Sequence, residues 1–317
     1  MTAAMTRVPE PGPIAVLPGG RADLVEAIEV AGGTVAPLSD ATRAVVWDAP
    51  RGAEELAEIL DAHPGVGWVQ LPWAGVDAFA DVLATHSGPN APLWTSAKGA
   101  YSAPVAEHAL ALVLGCLREL PEKSRRTSWS ARTGESLHGR KVLVIGAGGV
   151  ALEFVRLLTV FDVEVTIIRR RAEPVEGVSR VATLDALDAE LPLADVVVVA
   201  AAATGETARL FDERRIALMR DDAVFVNIAR GSIVDTEALA RALEAGRLYG
   251  AGIDVTDPEP LPDGHPLWTA PRVVITCHSA DTDEMTAPLL AGRVEVNVGA
   301  FLTGGAFEGI VDPVAGY

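Results

Sequence analysis

Four side chains in the C-terminal half of the chain have the types and spacing to do chemistry together. Arg230 follows an apolar run at residues 223–226, Asp254 closes a second strand-like run, and His278 follows a third at residues 273–276. Glu259 stands on the loop between the last two. A guanidinium can grip a carboxylate through parallel hydrogen bonds. An imidazole exchanges a proton near neutral pH, and a carboxylate behind it fixes the ring and favours its charged form. That set suits a small anionic carbonyl substrate.

The elements that must position these groups follow from the pattern around them. Residues 223–226 have the length and β-branched content of a buried strand. A helix then starts at Asp235, with Glu237 near its positive end, and closes at Gly246. Further upstream, Lys141–Ile145 reads as a strand, and Gly146-Ala147-Gly148-Gly149-Val150-Ala151 opens a helix behind it. This is G-x-G-x-x-A, the dinucleotide fingerprint with alanine in the third glycine's place. Gly146 permits the tight turn; Gly148, Gly149 and Val150 bring backbone N–H groups to a pyrophosphate at the helix N-terminus. The next strand, residues 163–168, ends in Arg169-Arg170-Arg171 where an NAD enzyme usually places an acid. Three guanidinium groups attract a ribose 2′-phosphate, so NADP(H) is expected ahead of NAD(H). Strand ends in an open parallel sheet face one crevice, where ligands bind.

The segment at residues 227–239 resembles the arginine signature of the D-2-hydroxyacid dehydrogenase family. Asp254-Val-Thr-Asp-Pro-Glu259-Pro resembles its glutamate signature, and Thr276-Cys-His278-Ser-Ala its histidine signature. Two departures stand out: Cys277 where proline is usual, and Asp281 near a usual glycine. The resemblance implies a Rossmann-type doubly wound parallel sheet domain at residues 102–282, with a smaller flavodoxin-like α/β substrate domain from residues 1–101 and 283–317. It implies a cleft between them and a homodimer built through the helix after Pro104 and the segment at 121–139. It further implies that His278 protonates the carbonyl oxygen, that Glu259 orients His278, and that Arg230 holds the substrate. The nicotinamide side is implied to involve Ile228, Ala229, Arg230, Asp254, His278 and Ala280, and the adenine side Ala201, Ala202 and Thr204. The loop carrying Trp73, Ala74 and Gly75 resembles the family's substrate loop. Trp47 and Trp73 are expected as pocket walls that keep the substrate small, such as glyoxylate or hydroxypyruvate.

Composition excludes other classes. The formal charge of −17 argues against nucleic acid and anionic membranes as partners. The two cysteines, Cys116 and Cys277, form no disulfide framework, so a reducing cytoplasm is expected. The proline-rich start lacks the apolar core of a signal peptide. His63, His86, His108, His138 and His265 are read as structural, and no spacing of Cys or His suggests a metal. A dinucleotide-sensing corepressor on the same fold is the competing reading. A phosphite-oxidising relative is a third; Glu259 speaks against a formate-oxidising one.

Overall fold

A computed structural model describes residues 9–313. The chain divides into two compact units, one running up to Tyr101 and from Thr282 onward, the other Ser102–Asp281.

The first unit opens with β1 (Ile14–Leu17), α1 (Ala22–Val30), β2 (Ala44–Trp47), α2 (Ala53–Ala62), β3 (Trp68–Gln70), α3 (Ala80–Thr85) and β4 (Leu93–Thr95). The strands are parallel and lie in the order β1-β2-β3-β4. On the far side of β1 there is one further parallel bridge, Ile14 to Val35. Counting that bridge as a strand gives the flavodoxin-like order 2-1-3-4-5.

The second unit begins with α4 (Ser102–Leu117) and α5 (Leu120–Ser124), a short turn of helix. Then come β5 (Lys141–Ile145), α6 (Gly149–Leu158), β6 (Glu164–Ile168), β7 (Arg180–Ala182), α7 (Leu187–Glu190) and β8 (Val196–Val199). The unit closes with α8 (Glu213–Leu218), β9 (Val224–Asn227), α9 (Thr236–Glu244), β10 (Gly250–Ile253) and β11 (Val273–Ile275). Its seven parallel strands run β11-β10-β9-β8-β5-β6-β7. This doubly wound sheet has its order reversal between β5 and β8, the Rossmann arrangement.

Local sequence explains the elements. Every residue of β8 is a fully buried valine, as expected of a central parallel strand covered on both faces. Each such side chain is worth about 1.5–3 kcal/mol of burial. In α6 the buried residues Ala151, Phe154, Val155 and Leu158 fall on one helical stripe. At the start of α9 the Asp235 carboxylate accepts the Ala238 N–H at 3.0 Å, a side-chain cap.

The last helix, α10 (Asp283–Thr303), belongs to the first unit and packs on α1. Its buried residues Leu290, Val294, Val298 and Phe301 share one face. Arg293 on the same helix is also buried and reaches the Lys98 carbonyl at 2.8 Å. No helix among the described residues is long and apolar enough to cross a membrane.

Candidate active site

Asp254 follows β10 and is 2 % exposed. Its carboxylate accepts the Thr276 hydroxyl at 2.6 Å, the Ser279 N–H at 2.9 Å and the Ala280 N–H at 3.3 Å. Its carbonyl accepts the His278 N–H at 2.5 Å. One buried side chain therefore staples the whole turn that carries His278. His108, on α4, lies 2.9 Å from the Thr276 hydroxyl and 3.5 Å from the Asp254 carboxylate. Burial alone raises the pKa of Asp254. The hydrogen bonds from His108, Thr276 and the Ser279 N–H outweigh it and hold the carboxyl below its usual 3.8.

The His278 ring is half exposed, and its Nδ1 lies 2.7 Å from Glu259 Oε1. A carboxylate at Nδ1 leaves Nε2 as the nitrogen available to a ligand. Glu259 is itself held by the Thr256 N–H at 3.4 Å. Cys277 and His278 take left-handed φ values of 53° and 52°. Proline, which is locked near −65°, cannot adopt that conformation, so the cysteine at 277 goes with the shape of this turn.

Arg230 follows β9, where the buried Asn227 side chain holds the backbone on both sides. Its amide donates to the Arg230 carbonyl at 3.0 Å, and its oxygen accepts the Ala229 N–H at 3.1 Å. The Arg230 guanidinium donates to the Ala229 carbonyl at 2.7 Å. Gly231 lets this loop meet the one that bears Glu259. A Cβ at Gly231 would lie 1.9 Å from the Thr256 carbonyl.

Asp281 is the addition that family resemblance does not supply. Burial lifts its carboxyl above the usual 3.8; His278 and Arg230 pull it down, and Asp254 pushes it up. It therefore shares the electrostatic surroundings of the three groups picked out by their strand-end positions.

The cofactor end of the unit lies at the β5/β8 order reversal. Gly146 has φ +109°, and a Cβ there would stand 2.5 Å from the Ala200 carbonyl, so no other residue fits. Gly148 is the N-cap of α6 and brings no side chain to its free N–H groups. A Cβ built on Gly148 meets nothing within 4 Å. Backbone donors in open space at the start of a ten-residue helix form the cradle a pyrophosphate needs. The residues present fit a dinucleotide. Gly149 and Val150 form the first turn of α6.

After β6, Arg170 and Arg171 are exposed, but the strand end is not free of acid as the sequence suggests. Glu173 folds back to pair with Arg169 at 3.4 Å, and its N–H donates to the Arg171 carbonyl at 2.8 Å. After β8, Ala201, Ala202 and Thr204 lie on a loop braced by Thr207, which donates to the Ala202 carbonyl at 2.7 Å. Ile228, Ala229 and Ala280 have buried side chains, so a ligand would meet their backbone.

In the first unit, Trp73 is half buried and meets Tyr101 edge-on at 6.2 Å, while Ala74 is exposed and Gly75 partly so. Trp73 lines a cavity of about 320 Å³ together with Tyr101, Arg21, Asp48 and Asp283. Trp47 does not line it, which corrects the expectation of two tryptophan walls. Trp47 is wholly buried in the core, and its indole N–H donates to the Arg51 carbonyl at 2.9 Å. Its neighbour Asp48 lines the cavity instead. The strand-end reasoning that singles out Arg230 would have found Asp48. No sequence signal points to His108, 168 residues from Thr276 and on a helix.

The model of the D-isomer specific 2-hydroxyacid dehydrogenase NAD-binding domain matches residues 110–280. The chain belongs to this family. As a 2-hydroxyacid dehydrogenase it is an NAD(P)-dependent oxidoreductase acting on a CH–OH group. It is 34% identical to the protein of the proB 3′ region of Corynebacterium melassecola, over 82% of this chain and 86% of that one. It is 32% identical to a glyoxylate reductase of Thermofilum pendens, over 78% of this chain and 75% of that one. A D-isomer specific 2-hydroxyacid dehydrogenase from Xanthobacter autotrophicus Py2, solved in complex with NADPH and MES, superposes with a TM-score of 0.80 at 27% identity. The match covers 97% of this dehydrogenase and all of that chain.

Proposed function

We propose that the chain reduces a small 2-keto acid to the D-2-hydroxy acid, with NADPH preferred over NADH. The observation that carries this reading is the His278–Glu259 pair on a turn stapled by the buried Asp254. When bound, the nicotinamide supplies the hydride that C2 of the keto acid receives as its C=O π bond breaks. His278 gives the proton that completes the hydroxyl, from Nε2, and is reprotonated from solvent. Glu259 at Nδ1 keeps the ring in that orientation. Arg230 binds the carboxylate and meets charge growing on the carbonyl oxygen. Asp254 holds the turn and is no proton donor, because its carboxyl stays ionised. Ala74 and Gly75 are proposed as backbone donors to the carboxylate.

The exposed Arg170 and Arg171, and the NADPH bound by the Xanthobacter relative, support the cofactor preference. The relative named as a glyoxylate reductase supports glyoxylate and hydroxypyruvate as first substrates. We also infer a homodimer formed through α4 and the segment at 121–139; fully exposed Trp129 in that segment supports it. A cytoplasmic location fits the unpaired cysteines.

Initial rates of NADPH and NADH oxidation with glyoxylate, hydroxypyruvate and pyruvate test the reading. Faster turnover with NADPH is expected. Cofactor binding without reduction of any acid would leave the dinucleotide-sensor reading in its place.

A further inference from the structure

The cavity of the first unit sits where a ligand site is expected on topology alone. With Val35 counted as a strand, the order of that sheet reverses between β1 and β2. Ligands of open parallel sheets bind outside the carboxyl ends of the strands at such a reversal. Arg21 follows β1, Asp48 follows β2, and Trp73 follows β3, so the cavity opens at that edge of the sheet. The start of α10 closes it with Asp283, and Leu290 lies two turns further on.

Its volume of about 320 Å³ falls at the lower end of the ~300–1,000 Å³ found for small-molecule sites. A keto acid whose side chain is a hydrogen or a hydroxymethyl group leaves most of it empty.

Its charge is negative. The Arg21 guanidinium is taken up by Asp23, with bonds of 2.6 and 3.1 Å from Nη2 and Nε. Asp48 accepts the Gly19 and Arg21 backbone N–H groups at 2.9 and 2.8 Å, which orient its carboxylate; the Arg21 charge acts on it too, but more weakly than on Asp23. Asp283, exposed in the first turn of α10, adds a second carboxylate. The walls are the rings of Trp73 and Tyr101, and the Tyr101 hydroxyl is already committed to the Pro72 carbonyl at 2.7 Å. Carboxylates combined with aromatic faces are a cation site.

We propose that this cavity is the side-chain subsite for the keto acid, and that it favours side chains ending in an ammonium or a guanidinium. The proposal rests on the reading of the chain as a 2-keto acid reductase whose Trp73–Ala74–Gly75 loop binds substrate. The balanced reaction is the same, one hydride to C2 and one proton to oxygen; only the far end of the substrate differs.

The test compares kcat/KM for 5-guanidino-2-oxopentanoate, neutral 2-oxohexanoate, anionic 2-oxoglutarate and glyoxylate. The guanidino acid is expected to exceed 2-oxohexanoate by about tenfold, a margin that shrinks with added salt. Asp283→Lys and Asp48→Asn should each lower that ratio, and the lysine variant should move preference toward 2-oxoglutarate. Equal rates for the guanidino and neutral acids overturn the proposal. So does a preference of the unmodified enzyme for 2-oxoglutarate, which would make Arg21 an anion anchor. If glyoxylate and every other acid fail to react, the reductase reading falls. Calorimetry with 5-guanidino-2-oxopentanoate and NADP then decides the cavity: binding about tenfold weaker in Asp283→Lys sustains it, and binding equal to that of 2-oxohexanoate ends it.

Discussion

Replacing Asp254 with asparagine keeps the size of the side chain and removes its charge. Oxygen Oδ1 accepts Thr276 and the Ser279 N–H, and Oδ2 accepts the Ala280 N–H. An asparagine can keep its oxygen on the first pair. Its NH₂ then faces the Ala280 N–H, donor against donor, in a residue that is only 6 % exposed. Leaving that N–H unsatisfied costs about 1–3 kcal/mol. The remaining bonds lose their charge assistance, a further ~1 kcal/mol. The sum, about 2–4 kcal/mol, corresponds to a fall in Tm of about 4–16 °C for a domain of this size. Because the same bonds hold the His278 turn, kcat should fall with Tm. The pH dependence has a definite sign. The folded pKa of Asp254 is lowered, so its stabilisation is present above the usual 3.8 and is lost as pH falls through the lower folded value. Calorimetry at pH 7 should separate the two proteins, and the gap should close on acidification below pH 3.8. Equal Tm and kcat at pH 7 would refute the staple.

Three other perturbations follow from the same geometry. Glu259→Gln removes the charge 2.7 Å from His278, and since both side chains are about half exposed the loss is screened; kcat/KM for reduction should drop about tenfold, and an unchanged value removes Glu259 from the mechanism. Arg169→Asp should move cofactor preference toward NADH, measured as the ratio of kcat/KM values; a constant ratio discards the arginine cluster as the selector. Asp281 has a raised folded pKa, so its ionised form opposes folding once pH exceeds the usual 3.8. Asp281→Asn should therefore raise Tm at pH 7 and make no difference well below pH 3.8, and a lowered Tm at neutral pH would contradict the burial argument.

Much of this was legible in the sequence because backbone needs select residue types. Gly146 and Gly231 each stand where a Cβ would strike a carbonyl, and valine runs such as β8 mark strands buried on both faces. The same burial hides which way a side chain points. All four residues of β2 are buried, so no polar alternation shows that Trp47 belongs to the core while the next residue faces the cavity. The strand beyond β1 is invisible because it is one bridge long, and β7 because it has only three residues, the first exposed. His108 depends on α4 packing against β10 and β11, a tertiary fact with no local pattern. Glu173 folds back over four residues to Arg169 through a loop, which composition cannot foresee.

The central claim is that His278, oriented by Glu259, gives the proton in an NADPH-linked reduction. The most direct measurement is the rate of NADPH oxidation with glyoxylate and hydroxypyruvate by the unmodified protein and by His278→Gln, with NADPH affinity followed in parallel by fluorescence. The account predicts turnover in the first, a loss of about 10²–10⁴-fold in the second, and NADPH binding retained in both. Full turnover by His278→Gln would contradict it.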